Sequence, residues 1–301
     1  MKIYTITLNT ILLICLPLFV SGQNNLCNID TEDTTKCYVL KKYIKPQIKL
    51  EKKWETKEIV STRQVPLIAD MDGDCIPEIL MRGIKSIDIT KPDTAVAHFY
   101  SGRDGSLNAK IYCEAFQSEL TPVIADVDND GINEIIISSI VDGKFPYKNS
   151  LLCYDYAGKL KWISDKYIYN TDYDIDWIPQ LAAADFNQDG KTEIYCNNRI
   201  FNGQTGKLLL HGGSNGEGEH DEGFITNSVC VAAQLDENPN DLELAAGYSI
   251  YKIIITNPNG VAGNQMVPIN IKINGSFFDG KTVVADINRD GILDVIVSHG
   301  N

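Results

Sequence analysis

The sequence predicts an all-β chain, a β-propeller built of four-stranded blades. Three observations predict it. An acidic loop bounded by short apolar runs recurs, with starts at 70, 126, 185, 234 and 286. A second, glycine-containing turn falls at Asp104-Gly105, Ala157-Gly158, Thr205-Gly206 and Asn259-Gly260. Signals for helices are nearly absent. Two hairpins per repeat make four strands, and four-stranded units at this spacing are propeller blades.

The 301 residues suffice for one large domain or two ordinary ones, and the repeats favour one array. Residues 1–22 read as a secretory signal: Lys2, an apolar core from Ile11 to Val20, and small residues at Val20-Ser-Gly22. The mature chain is expected to start near Gln23. That core is too short to span a membrane, and no later stretch approaches roughly 18 apolar residues. Leu12-Leu-Ile-Cys15 faintly resembles a lipid-attachment box. Residues 23–37 are polar and read as a flexible segment. The expected location is extracellular or at the cell surface.

From 38 to 301 the chain reads as the propeller, with outer strands over 38–60 and blades beginning near 65, 121, 179, 229 and 281. Tyr38–Lys45 and Ile48–Trp54 alternate apolar with charged residues around a Pro46 break, which predicts two strands. Their lysines suit an edge protected from aggregation. The repeat beginning near 281 has only two strands before Asn301. The strands at 38–57 complete that blade and close a five-bladed ring, or the chain is part of a longer propeller; both readings stay open.

Apolar runs flank every acidic loop, Pro122-Val-Ile-Ala before and Ile135-Ile-Ile after, for example. Consecutive β-branched residues imply strands covered on both faces, joined by the loop as a hairpin. The loop from 126 to 134 sets out its chemistry most clearly. Asp126, Asp128 and Asp130 alternate, Gly131 permits a tight curl, and Glu134 follows. Carboxylates at positions one, three, five and nine, with the Ile132 carbonyl at seven, suit a hard cation. Ca²⁺ takes such an oxygen set, with water completing 6–8 ligands. Ala69–Glu78, Ala184–Glu193 and Ala285–Asp294 repeat the pattern. The copy at Ala233–Glu243 is worn: Gln234 stands at position one and one extra residue precedes Glu243, so no ion is expected there.

Net charge is −13, which argues against nucleic acid as a partner. Eight cysteines are present. Cys27 and Cys37 are candidates for a disulfide, whereas Cys113, Cys153, Cys196 and Cys230 lie in apolar runs and read as buried hydrophobes. Two inserts break the repeat. His211–Gly223 is glycine-rich and acidic with His211 and His220, and reads as a solvated insert or a ligand loop. Lys166–Trp177 mixes Asp with aromatics, among them Tyr173 and Trp177, a combination that suits sugar rings as well as ordinary packing. These four residues are the candidate ligand-binding group. No catalytic signature such as Gly-x-Ser-x-Gly or His-Glu-x-x-His occurs.

At its Asp-x-Asp/Asn-x-Asp-Gly-x-x-Asp/Glu loops the chain resembles the FG-GAP and VCBS repeats, which build the β-propeller of integrin α-chain heads and of many bacterial secreted proteins. The resemblance covers about residues 60 to 301. It implies Ca²⁺ held by Asp70, Asp72, Asp74 and Glu78; by Asp126, Asp128, Asp130 and Glu134; by Asp185, Asn187, Asp189 and Glu193; and by Asp286, Asn288, Asp290 and Asp294. Cys75 stands where the first copy should have Gly. Three functional readings follow: a non-enzymatic binding module for an extracellular protein or glycan, a calcium-dependent polysaccharide lyase, and a scaffold domain of a larger surface protein. The first is preferred, and no catalytic residue is assigned.

Overall fold

The computed structural model describes residues 3–7, 50–57, 60, 65–83, 96–112, 122–139, 150–166, 180–218, 228–272 and 274–299. Ile3–Thr7 forms strand β1. Four antiparallel four-stranded sheets follow in chain order. The first holds β2 (Leu67–Ala69), β3 (Glu78–Gly83), β4 (Val96–Ser101) and β5 (Leu107–Tyr112). The second holds β6 (Val123–Ala125), β7 (Glu134–Ser139), β8 (Ser150–Tyr154) and β9 (Leu160–Ile163). The third holds β10 (Leu181–Ala184), β11 (Glu193–Cys196), β12 (Arg199–Asn202) and β13 (Leu208–His211). The fourth holds β14 (Val231–Ala233), β15 (Glu243–Ala246), β16 (Ser249–Ile254) and β17 (Gln265–Asn270). The fifth pairs β18 (Lys281–Ala285) with β19 (Asp294–His299), and β1 lies parallel along the other edge of β19. The described residues contain no helix, and so none long and apolar enough to cross a membrane.

All-β architecture follows from the runs themselves. Ile135, Ile136 and Ile137 are all buried although successive strand residues face opposite ways. Both faces of β7 are therefore covered. Ile135 and Ile137 pack with Leu80, Phe99 and Met71 of the first sheet, whereas Ile136 packs with Ile194 and Phe201 of the third. Two further clusters join the third sheet to the fourth and the fourth to the fifth. The core is thus a series of seams between consecutive sheets. Among the described residues no apolar cluster joins the fifth sheet to the first.

The outer hairpins carry the expected glycines. Gly105, Gly158 and Gly206 have positive φ, and the pairing register shifts beside each turn, between Phe99 and Tyr100, Cys153 and Tyr154, and Ile200 and Phe201. In the fourth sheet β16 and β17 pair without such a shift. Cys153 and Cys196 are buried among apolar neighbours, as expected, while Cys230 is partly buried. Cys27, Cys37 and Cys113 lie outside the described residues.

One expectation needs correction. Residues 50–57 form no strand. Leu50 is almost fully exposed, and Trp54 lies against the first sheet, its Nε1 donating to the Gly102 carbonyl at 3.4 Å. A β-carbon at Gly105 would sit 2.4 Å from the Trp54 ring. Trp162 of β9 stands in the same relation to Gly206 of the third sheet. Alternation of apolar and charged residues indicates a buried side; here a glycine turn receives that side, without a ladder. Residues 38–49, which complete the expected outer pair, lie outside the described residues.

Candidate functional site

Each acidic loop occupies the same place, joining the first strand of its sheet to the second. Its last acid pairs with the alanine before the loop: Ala69 with Glu78, Ala125 with Glu134, Ala184 with Glu193, Ala233 with Glu243 and Ala285 with Asp294. The worn copy keeps this register despite its added residue.

Within the loop the acids divide the work. The position-one carboxylate accepts backbone N–H groups across the curl. Asp126 takes those of Asp130 and Gly131, Asp185 those of Asp189 and Gly190, and Asp286 those of Asp290 and Gly291. Asp70 takes those of Gly73 and Cys75. The position-five carboxylate caps the N–H two residues on, as Asp130 does for Ile132 and Asp74 for Ile76. The position-nine acid is buried in every copy and accepts the N–H of position two: Glu78 from Met71, Glu134 from Val127, Glu193 from Phe186, Glu243 from Leu235, Asp294 from Ile287. These bonds pin a ring of oxygens before any ligand is present.

Carboxylate oxygens of Asp70, Asp72 and Glu78 lie within 4.8 Å of one another, as do those of Asp126, Asp128 and Glu134. Such clusters can hold a metal ion. Asp128 Oδ1 and Asn187 Oδ1, both at position three, are buried and make no hydrogen bond. Buried oxygens left unpaired are costly, and a hard cation at these sites would satisfy them. In the third and fifth loops the Asn at position three donates to the Asp at position five, at 3.2 Å from Asn187 to Asp189 and 2.9 Å from Asn288 to Asp290.

The loops also touch one another. Asn133 donates to the Asp70 carbonyl at 2.7 Å, and Thr192 to the Asp126 carbonyl at 3.4 Å. Position eight of one loop thereby ties position one of the loop before it, and Asn129 reaches the Gly190 carbonyl at 2.6 Å. The first three loops accordingly lie side by side along one end of their sheets.

Two features escaped the sequence reading. Position four takes the left-handed conformation as well as the expected position six: Gly73 and Cys75, Asn129 and Gly131, Gln188 and Gly190, Arg289 and Gly291. Cys75, with φ 65°, adopts it despite its β-carbon, which costs about 1–2 kcal/mol per residue. Cys75→Gly is expected to raise the melting temperature by about 2–4 °C, the glycine's extra unfolded-state entropy taking back part of the gain. A melt at or below that of the parent would show that Cys75 has found compensating contacts.

The second feature is what faces the position-nine acid. Asn108 of β5 donates to Glu78 Oε1 at 3.1 Å. The Lys161 ammonium of β9 stands 2.8 Å from Glu134 Oε1 and 2.5 Å from Asp128. Leu209 stands at the corresponding register position of β13. Burial pushes the Glu193 carboxyl up to about 7, with the nearby charges of Asp185 and Asp189 adding to it and the Phe186 N–H opposing.

The sign of the consequence is fixed. A carboxyl whose folded pKa lies above its unfolded value favours the protonated native state. Its contribution is fully present below about 4.5 and is lost as pH rises through about 7. Metal-free protein is therefore expected to lose roughly 3 kcal/mol between pH 4.5 and 7.5 that Glu193→Gln does not lose. Urea unfolding of both at several pH values measures this difference, and parallel curves would refute it.

The candidate ligand group is only partly described. His211 ends β13 and is exposed, whereas His220, Tyr173 and Trp177 lie outside the described residues. The described part of the glycine-rich insert is firmly tied. Asn198 Nδ2 donates to the carbonyls of Gly213, Asn215 and Gly216, Tyr251 Oη donates to Gly216, and Asp279 accepts the N–H groups of Glu217 and Gly218.

Comparison with known proteins agrees with this geometry. The FG-GAP-like repeat model matches residues 126–196, which run from the start of the second loop through β11. No curated protein matched the chain. Among solved structures, the V. cholerae biofilm matrix protein Bap1 is similar at 18% identity and a TM-score of 0.50, over 80% of this chain. The match spans 36% of Bap1's length, and at this identity the likeness is one of fold. The rhamnogalacturonan lyases YesW and YesX match less well, each at 15% identity and a TM-score of 0.38, over 77% and 74% of this chain and 54% and 51% of theirs. Residues 126–196, which hold the loops at 126 and 185, are thus similar to an FG-GAP-like repeat, and the loops at 70 and 286 repeat that geometry in other sheets.

Proposed function

We propose that the chain is a secreted calcium-binding β-propeller that acts as a non-enzymatic adhesion module, contacting an extracellular glycan or protein. The observation that carries this reading is the recurrence of one oxygen-lined hairpin in consecutive sheets, with bonds from loop to loop. Calcium would be held by positions one, three, five and nine of the loops beginning at 70, 126, 185 and 286, with the position-seven carbonyl. When bound, it supplies positive charge that turns repulsion among carboxylates into a link between the two strands that each loop joins. Extracellular modules bind calcium at about 10⁻⁴–10⁻³ M, which suits a protein outside the cell.

A rigid scaffold that presents many loops is the arrangement on which binding surfaces are commonly built. The fold shared with a biofilm matrix protein supports a role in contact with an extracellular matrix. A glycan array probed with the purified chain at millimolar calcium and again in excess EDTA tests the reading. Binding to at least one glycan class, lost in EDTA, is the expected result. A blank array in calcium would turn the proposal away from glycans, and an array of extracellular proteins probed with the same chain would then decide whether any adhesion role survives.

A further inference from the structure

The worn fourth loop is the exception to the pattern, and its differences are coordinated. At position one the sequence has Gln234 in place of Asp. Its Nε2 donates inward, to the Asn238 carbonyl at 2.6 Å and the Asp236 carbonyl at 2.9 Å. Where the other loops present a carboxylate that accepts N–H groups, this one presents an amide N–H. The acidic cluster nonetheless persists, because the added residue lets Asp241 join it. Oxygens of Asp236, Asp241 and Glu243 lie within 4.8 Å of one another. Glu243 is buried, and its Oε1 makes no hydrogen bond. The cluster thus has negative charge that backbone donors do not balance.

Lys252 brings a cation to the two aspartates of the cluster, although not to Glu243 itself. Its ammonium lies 3.1 Å from Asp236 and 3.7 Å from Asp241. Its position in the ladder is informative. Glu78 pairs across its sheet with Ser101, and Glu193 with Asn202. In the fourth sheet Leu244 pairs with Tyr251, so the next step places Lys252 opposite Glu243. A lysine thus stands where the first and third sheets have a short polar residue, in the sheet whose loop has no position-one carboxylate. Lys161 approaches the second loop from another strand, β9, and there Asp126 and Asp130 keep the oxygen set whole.

We infer that the fourth corner has replaced its metal ion with a tethered one: the Lys252 ammonium, assisted by the Gln234 amide, occupies the cation's role, so that this hairpin holds its shape without calcium. The contrast with the other loops rests on the calcium reading above; the role of the lysine does not.

The test uses three variants of the full chain. In metal-free buffer Lys252→Met leaves Asp236 and Asp241 without their cation and is expected to lower the melting temperature by about 2–4 °C. Lys252→Arg, which keeps the charge, is expected to melt close to the parent. The double change Gln234→Asp with Lys252→Ser restores the position-one carboxylate and removes the tethered ammonium, and native mass spectrometry is expected to find one more bound calcium per chain than in the parent. A Lys252→Met melt identical to the parent's overturns the inference, as does a parent that already binds calcium through Glu243. If neither the parent nor the double variant binds calcium, the reading of the other loops fails, while the melts still decide what Lys252 does.

Discussion

Moving the purified chain from excess EDTA into calcium at about one hundred times its dissociation constant is expected to raise the melting temperature by about 5–11 °C for each loop filled. The arithmetic is that of linkage: a site filled only in the native state contributes about 2.7 kcal/mol at that excess, and each kcal/mol moves the midpoint of a chain near this size by about 2–4 °C. The effect has a structural cause on both sides. Without an ion, carboxylates converge within 4.8 Å in the first two loops, and buried oxygens at Asp128 and Asn187 lack partners. With an ion, both penalties end together. Asp185→Asn keeps the side chain's shape and is expected to remove about one loop's share of the calcium-induced rise. Superimposable melts with and without calcium would remove the metal from the account of this fold.

Phe186→Ala is expected to cost about 3–5 kcal/mol, the usual loss for a buried aromatic, and Ile287→Ala less than about 1 kcal/mol. Both residues stand at position two of their loops, so the pair isolates surroundings from chemistry. Position two points into the seam with the next sheet. Met71 packs against the second sheet, Val127 against the third, Phe186 against the fourth and Leu235 against the fifth. Phe186 is 0% exposed and meets Tyr195 edge to face at 5.4 Å. Ile287, in the fifth sheet, is 50% exposed. Chemical unfolding of both variants gives the comparison, and equal losses would mean that Ile287 has a neighbour in solution.

Most of the architecture was legible because each repeat writes its instructions locally. The run of Ile135 to Ile137 states that both faces of a strand are covered, and the alternating acids from Asp126 to Asp130 state where it turns. What escaped the reading depended on neighbours far along the chain. Phe186 lies between Asp185 and Asn187 in a polar loop; it is a core residue because the next sheet arrives over it. Lys161 reaches Glu134 from 27 positions away, and Lys252 finds its cluster through strand register. Cys75 shows the opposite limit: glycine is the expected residue at position six, yet hydrogen bonds from the loop backbone to Asp70 hold a cysteine there in the same conformation. The outer pair expected at 38–57 failed for residues 50–57 because alternation records a buried side and does not name the partner.

The seams are private to adjacent sheets, and this has a consequence for the loops themselves. The second and third sheets are gripped from both sides, whereas Ile68 in the first and Val283 in the fifth are 67% and 51% exposed. Rigidity should therefore be graded along the chain. Among the described residues the hairpins at 126 and 185 are braced by sheets on either flank, and those at 70 and 286 by one. Four loops written with nearly the same letters would then behave as two strong sites and two weak ones, a hierarchy set by position in the row and invisible in any single motif.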